Sequence, residues 1–226
     1  MSSAVASPLD KAVGFYEAPL GKKVVMAVTG VILFGYVVAH MLGNLQIFIG
    51  AERLNAYAHF LKSTGELLWG VRIVMLAAVL LHILAAVQIT LANWKARPVG
   101  YAMKKDIETG YAARTMIVSG PLILLYVIYH LMMFTFLQTP QGLSDTDVYG
   151  NVVKAFQQPG ISAVYIVAML VLGFHLYHGI WSMLQTLGIN HPKLNRLRRI
   201  ASAVLAILLA AGYISIPVSV LLGIVH

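Results

Sequence analysis

Residues 29–44 read T-G-V-I-L-F-G-Y-V-V-A-H-M-L-G-N. The run carries no charge and several small residues, with one ionisable ring, His40, in its interior. A polar ring at membrane depth costs free energy unless something satisfies it, so such a residue marks a functional site by default. The arrangement recurs. His82, His130 and His175 sit in the same way inside the next three apolar runs, at spacings of 42, 48 and 45 residues. Each spacing is one membrane-length helix plus one connection.

Composition supports the membrane reading. The chain has 226 residues, 59% hydrophobic and 11% charged, with a mean hydropathy of +0.81. A soluble domain carries about 25% charged residues. Five stretches reach the roughly 20 apolar residues that a spanning helix needs. They fall at about 24–49, 67–94, 115–138, 161–188 and 200–225. Backbone groups in lipid must be satisfied internally, and nothing alternates with the period of two that a barrel requires, so the spans are helices. The expected fold is an all-α membrane protein of one domain, 1–226. Its first four spans form an up-down bundle around two b-type haems.

Charge sets the orientation. With the N-terminus in the cytoplasm, twelve basic residues fall on the inner side: Lys11, Lys22, Lys23, Lys95, Arg97, Lys104, Lys105, Arg114, Lys193, Arg196, Arg198 and Arg199. Only four, Arg53, Lys62, Arg72 and Lys154, fall outside. This asymmetry is the positive-inside rule and puts the C-terminus outside. The net charge of +8 is thus an orientation signal that points to lipid headgroups and a partner surface, not to nucleic acid. With no cysteine, the chain holds no thiolate-ligated cluster, no thiolate haem and no covalent c-type haem. The first 20 residues show no cleavable signal, so targeting falls to the first span.

The connections differ in character. The stretch Lys11 to Tyr16 is mildly amphipathic, a frayed terminus or a docking arm for a cytoplasmic subunit. Glu52 to Lys62 looks helical. Residues 139–160 carry the turn formers Pro140, Gly142, Asp145, Asp147, Gly150 and Pro159, and 190–199 read as a compact basic turn. Pro121 and Pro217 lie inside spans, where a kink is expected.

Helices joined by short connections run up-down-up-down. Neighbours then pack about 8–10 Å apart, and the diagonal of such a square is about 11–14 Å. Two imidazoles flanking one iron, with Fe–N bonds near 2 Å, need about that diagonal. Geometry therefore pairs His40 with His130, and His82 with His175. At about 1.5 Å per residue, the first pair lies roughly 22–24 Å, and the second roughly 17–20 Å, from the cytoplasmic ends. The first pair belongs to an outer haem and the second to an inner one. Bis-histidine ligation leaves no open position, so the iron transfers electrons and binds no substrate; no residue is assigned a catalytic role.

Plainer readings compete. A lone histidine in a span is more often a hydrogen-bonding or proton-handling group. Zinc or di-iron sites would want carboxylates, and Glu52, Glu66 and Glu108 all lie outside the span cores. In G-F-H-L-Y-H-G, residues 173–179, His178 is an alternative ligand to His175 or a contact for a haem propionate. His59, His191 and His226 fall in loops or at the terminus. Gly35, Ala39 and Gly43, Ala85 and Ala86, and Gly173 and Gly179 serve either close helix packing or room for a flat macrocycle. Tyr36, Tyr126, Tyr129, Phe134, Phe174 and Tyr177 could line the cavities or simply be core.

Span I as quoted, Y-V-I-Y-H-L-M-M-F-T at 126–135 and F-H-L-Y-H-G-I-W-S-M-L-Q-T-L-G at 174–188 together resemble the cytochrome b membrane anchor of succinate dehydrogenase/fumarate reductase. The variant resembled is the single-polypeptide, five-helix, di-haem type, and the resemblance covers essentially the whole chain. There the H-x-x-x-G of span IV carries a haem ligand, which favours His175, followed by Gly179. The resemblance implies a complex II subunit in a bacterial cytoplasmic (inner) membrane. An FAD flavoprotein and an iron–sulphur subunit would be its partners, as part of the tricarboxylic acid cycle. Dicarboxylate chemistry would belong to the flavoprotein, and electrons would pass through the two haems to a quinone, menaquinone in this class, toward the outer face. Arg53, His59 and Arg72 are the candidates for holding a quinone carbonyl. A higher oligomer of the complex is also open. Some fumarate-reducing relatives carry a proton-conducting glutamate two residues before the span IV ligand. Gly173 stands there instead, which favours succinate oxidation. The alternatives are a di-haem anchor of a hydrogenase, formate dehydrogenase or nitrate reductase, and a haem-free proton-conducting membrane protein.

Overall fold

The computed structural model describes residues 8–96, 110–138 and 142–226, with residues 8–12 described by backbone alone. Arg97, Lys104, Lys105, Glu108 and Pro140 lie outside the described residues, as does the side chain of Lys11. The described residues are mostly helical: α1 (Pro8–Glu17), α2 (Pro19–Asn44), α3 (Ala51–Ser63), α4 (Glu66–Ala96), α5 (Tyr111–Arg114), α6 (Met116–Phe134), α7 (Val148–Phe156), α8 (Pro159–Thr186) and α9 (Asn195–Leu221). Five of these, α2, α4, α6, α8 and α9, are long and apolar enough to cross a membrane. No strand occurs among the described residues.

Helix ends correct the expected spans. The first helix begins at Pro19, not near 24, because proline at the first helical position is pre-set for the turn and Lys22 and Lys23 are good helix formers. Its α-helical part ends at Asn44, and a 3₁₀ turn, Leu45–Phe48, carries the span on to its expected end near 49, before Gly50 at φ 129°. Hydropathy alone missed the charged first turn of α9, which starts at Asn195 rather than near 200. Span III stops at Phe134, short of 138, and Leu137 takes a left-handed φ of 54°.

The segment 139–160 is more than the loop expected from its turn formers. It contains α7, whose Asp147 accepts from Gly150 N at 2.9 Å as an N-cap. Val152, Val153, Ala155 and Phe156 are buried on one face of α7. Pro159 likewise opens α8 rather than a loop. The helical run expected at 52–62 is present as α3.

Close packing joins α8 to α9, α2 to α4, α6 to α8 and α2 to α8. The best-buried core, including Ile47, Leu54, Met133, Phe156, Tyr165 and Ile216, lies at the end roofed by α3 and α7. Asn55 of α3 ties that roof together, donating to Asp147 Oδ1 at 2.9 Å and accepting from Tyr149 N at 2.9 Å. At the opposite, basic end, buried Arg198 donates to the Ile189 carbonyl at 2.7 Å and to Asn190 Oδ1 at 3.2 Å, closing the turn between α8 and α9. The long helices otherwise turn large apolar side chains outward: Leu76, Leu80, Leu125, Val167, Ile207 and Leu208 are all exposed. That is the expected surface of a lipid-facing helix.

Candidate functional site

The four span histidines occupy two levels. At one level His40 of α2 and His130 of α6 meet, ring centroids 5.8 Å apart and planes at 82°. Tyr36 stacks on His40 at 5.6 Å and Tyr126 on His130 at 5.9 Å, while Phe134 lies 5.6 Å from His130. At the other level, nearer the basic end, stand His82 of α4, which meets Thr29 of α2, and His175 of α8, which meets Ser119 of α6.

Every one of the four rings meets a hydroxyl through Nδ1. His40 Nδ1 is 3.2 Å from Tyr213 Oη, His82 Nδ1 is 3.1 Å from Thr29 Oγ1, His130 Nδ1 is 3.2 Å from Tyr165 Oη and His175 Nδ1 is 3.1 Å from Ser119 Oγ. Partners fix where the proton sits. His82 Nδ1 is also 3.1 Å from the Met26 carbonyl, which can only accept, so Nδ1 carries the hydrogen. Tyr213 spends its own proton on the Val37 carbonyl at 2.7 Å and therefore accepts from His40. Ser119 and Tyr165 have other acceptors too, the Met116 carbonyl at 3.3 Å and Met133 Sδ at 3.7 Å. A ring protonated on Nδ1 keeps the lone pair on Nε2, the atom that can bind a metal.

For His82, His130 and His175, Nε2 has no hydrogen-bond partner among the described residues. Nor is it among the sealed, unpartnered polar atoms, which are Trp181 Nε1, Arg198 Nε and Ser202 Oγ. Each lone pair therefore opens onto accessible space. At His40, Asn44 Nδ2 donates to the residue's own carbonyl at 2.7 Å and touches the ring at 3.3 Å and 3.4 Å.

The His40–His130 pair is spaced for bis-histidine ligation of a haem. Two Fe–N bonds of about 2 Å plus the reach from each Nε2 to its ring centre require centroids roughly 6 Å apart. The His40–His130 separation is 5.8 Å. The donor set is imidazole alone, with no cluster of three or more metal-ligating His, Cys, Asp or Glu side chains among the described residues. The glycines divide. Tyr57 lies 2.7 Å from where a Cβ on Gly43 would stand, and Ala210 lies 3.4 Å from one on Gly173, so close packing explains both. Around Gly35 and Gly179 nothing lies within 4 Å, and packing does not explain them.

His178, one turn beyond His175, does not join either pair through a hydrogen bond. It lines a cleft of about 250 Å³ at the basic end with Tyr177, Trp181 and Arg199. Its ring is 6.2 Å from that of Trp181, over which Arg199 lies at 5.3 Å. Of the quinone candidates, Arg53 lines a cleft of about 500 Å³ bounded by Ile49, Gly50, Ala51, Glu52 and Ala56. Arg72 instead lies on the exposed Trp69 ring at 5.0 Å, and His59 is exposed. His191 accepts from Lys193 N at 3.3 Å, a turn-capping contact. Phe174, beside His175 in the chain, is exposed and packs on Tyr111 at 6.4 Å.

Sequence reasoning missed the four hydroxyl residues and the pair Trp181 and Arg199. A signal existed for two of them: Thr29 precedes His40 by eleven residues, and Ser119 precedes His130 by the same eleven. Eleven residues are three helical turns, so hydroxyl and imidazole share a face.

Comparison with curated proteins and with solved structures yields no match. The family model for the succinate dehydrogenase/fumarate reductase transmembrane subunit matches residues 100–214, just over half the chain, and so includes His130, His175 and most of the last span. The chain is therefore a multi-pass membrane protein that belongs to the succinate dehydrogenase/fumarate reductase transmembrane-subunit family.

Proposed function

We propose that this subunit anchors a succinate:quinone oxidoreductase and carries its electrons, holding two b-type haems among four spans that run up-down-up-down. His40 and His130 are the axial ligands at the outer level, and His82 and His175 those at the inner, cytoplasmic level. The observation that carries this reading is the meeting of His40 and His130 at 5.8 Å from two helices that are not neighbours in sequence. Nε2 of His82, His130 and His175, left without a hydrogen-bond partner among the described residues, supports it. A b-type haem so held supplies reversible one-electron transfer at an iron with no open coordination position.

The chain's other residues supply placement and environment. The apolar spans surround both levels with hydrocarbon side chains. At the cytoplasmic end His178 and Arg199 line one cleft and offer it a ring donor and a positive charge, groups with which a haem propionate pairs. The basic inner surface suits an iron–sulphur partner, behind which an FAD flavoprotein performs the dicarboxylate chemistry. Arg53 and its outer cleft are the best placed of the quinone candidates, with menaquinone as the acceptor. Gly173 faces Ala206 and Ala210 of α9, so no acidic side chain stands there to carry protons, which favours the direction of succinate oxidation. The membrane is the cytoplasmic membrane of a bacterium.

The test is to extract the whole complex in mild detergent, assay pyridine haemochromes and follow succinate-driven quinone reduction. We expect two b-type haems per chain and quinone reduction that depends on them. A colourless preparation would contradict the reading.

A further inference from the structure

The hydroxyls that meet the four histidines come from residues with no part in binding iron, and they follow a pattern. On α2, Thr29 lies eleven residues before His40; on α6, Ser119 lies eleven before His130. Each helix thus presents a hydroxyl at the inner level and an imidazole at the outer level on one stripe. The hydroxyl does not serve its own helix's histidine. Thr29 serves His82 of α4, and Ser119 serves His175 of α8. On α8 the order reverses: Tyr165 at the outer level serves His130, and His175 stands ten residues on at the inner level. The equivalent position on α4, ten before His82, is Arg72, which offers no hydroxyl. Its place is taken from α9, where Tyr213 serves His40.

We propose that Thr29, Ser119, Tyr165 and Tyr213 are positioning residues, one for each ligand, that keep the ring proton on Nδ1 and hold Nε2 toward the iron. The proposal rests on the haem reading above. It also gives the fifth span, which carries no ligand, a part in the site through Tyr213. The eleven-residue repeat separates the two levels by about 16 Å along the bundle, more than the few ångströms obtained by counting depths from span ends read off hydropathy.

Chemistry gives each contact a measurable consequence. An imidazole that donates from Nδ1 is more electron-rich at Nε2 and binds ferric iron better, which lowers the reduction potential. Removing the hydroxyl weakens that effect and frees the ring to change tautomer, except at His82, where the Met26 carbonyl still accepts from Nδ1. The influence is local to one level, since each hydroxyl touches one ring.

The experiment uses the intact complex, wild type and with Tyr213→Phe, Tyr165→Phe, Thr29→Val or Thr29→Ser. Haem content is measured by pyridine haemochrome and each haem's midpoint by optical redox titration. The two haems are told apart by His40→Leu and His82→Leu controls. Phenylalanine keeps the aromatic packing, so two haems should remain in Tyr213→Phe. The outer midpoint alone should move upward, and further when Tyr165→Phe is added. Thr29→Val should move the inner midpoint alone, and Thr29→Ser should restore it. Two bound haems with unmoved midpoints, or both midpoints moving together in a single variant, would overturn the proposal. A wild-type complex without haem would instead overturn the haem reading on which it rests.

Discussion

His175 and His178 are three residues apart on α8, close enough to compete for one iron, but they keep different company. His175 is held by Ser119 across the α6–α8 seam at 3.1 Å. His178 points to a cleft at the basic end and sits beside Trp181 and Arg199. A ligand needs its second nitrogen fixed so that the first is aimed, and only His175 has that fixture. We expect His178→Gln to retain both haems in a pyridine haemochrome assay; loss of one would reverse the choice within span IV. The same residue-level logic separates Arg53, which borders a cleft, from Arg72, whose charge lies on an exposed indole.

Among the elements, α7 was the least legible. Its turn formers mask a short helix whose signal is Asp147 as a cap followed by Val148, Val152 and Phe156 at four-residue intervals. The five spans were plain from hydropathy, but their ends were not, because charged residues such as Lys22, Arg196 and Arg199 extend a helix beyond the lipid without adding apolar character. The roof formed by α3 and α7 hangs on Asp147. Backbone donation from Gly150, and then the Asn55 amide, holds its carboxyl below the usual range. A depressed folded-state pKa gives stability that is present above the unfolded value, about 4, and lost as pH falls through the folded one. Hydrogen exchange in residues 148–156, corrected for intrinsic rates, should therefore show the cap loosening only in acid. Asp147→Ala should loosen it at neutral pH, by about 1 kcal/mol, the usual worth of an N-cap. Equal protection in wild type and variant at neutral pH would remove Asp147 from this role.

At the scale of the molecule, helix neighbours in space decide which residues meet. The histidines were legible because one ionisable ring per apolar span needs no knowledge of packing to stand out. Tyr165 and Tyr213 were not, since their partners lie 35 and 173 residues away and depend on α8 and α9 standing beside the outer level. The twin eleven-residue spacings of Thr29–His40 and Ser119–His130 were present in the sequence. They acquire meaning only when each hydroxyl is seen to meet a histidine on another helix. The central claim is that the spans pair across the bundle, first with third and second with fourth. Difference spectra of His40→Leu, His130→Leu, His82→Leu and His175→Leu complexes test it most directly. His40→Leu and His130→Leu should lose the same haem and keep the other, with His82→Leu and His175→Leu showing the complementary loss. If His40→Leu and His82→Leu instead lost the same haem, the pairing would be between neighbours and the account would be wrong.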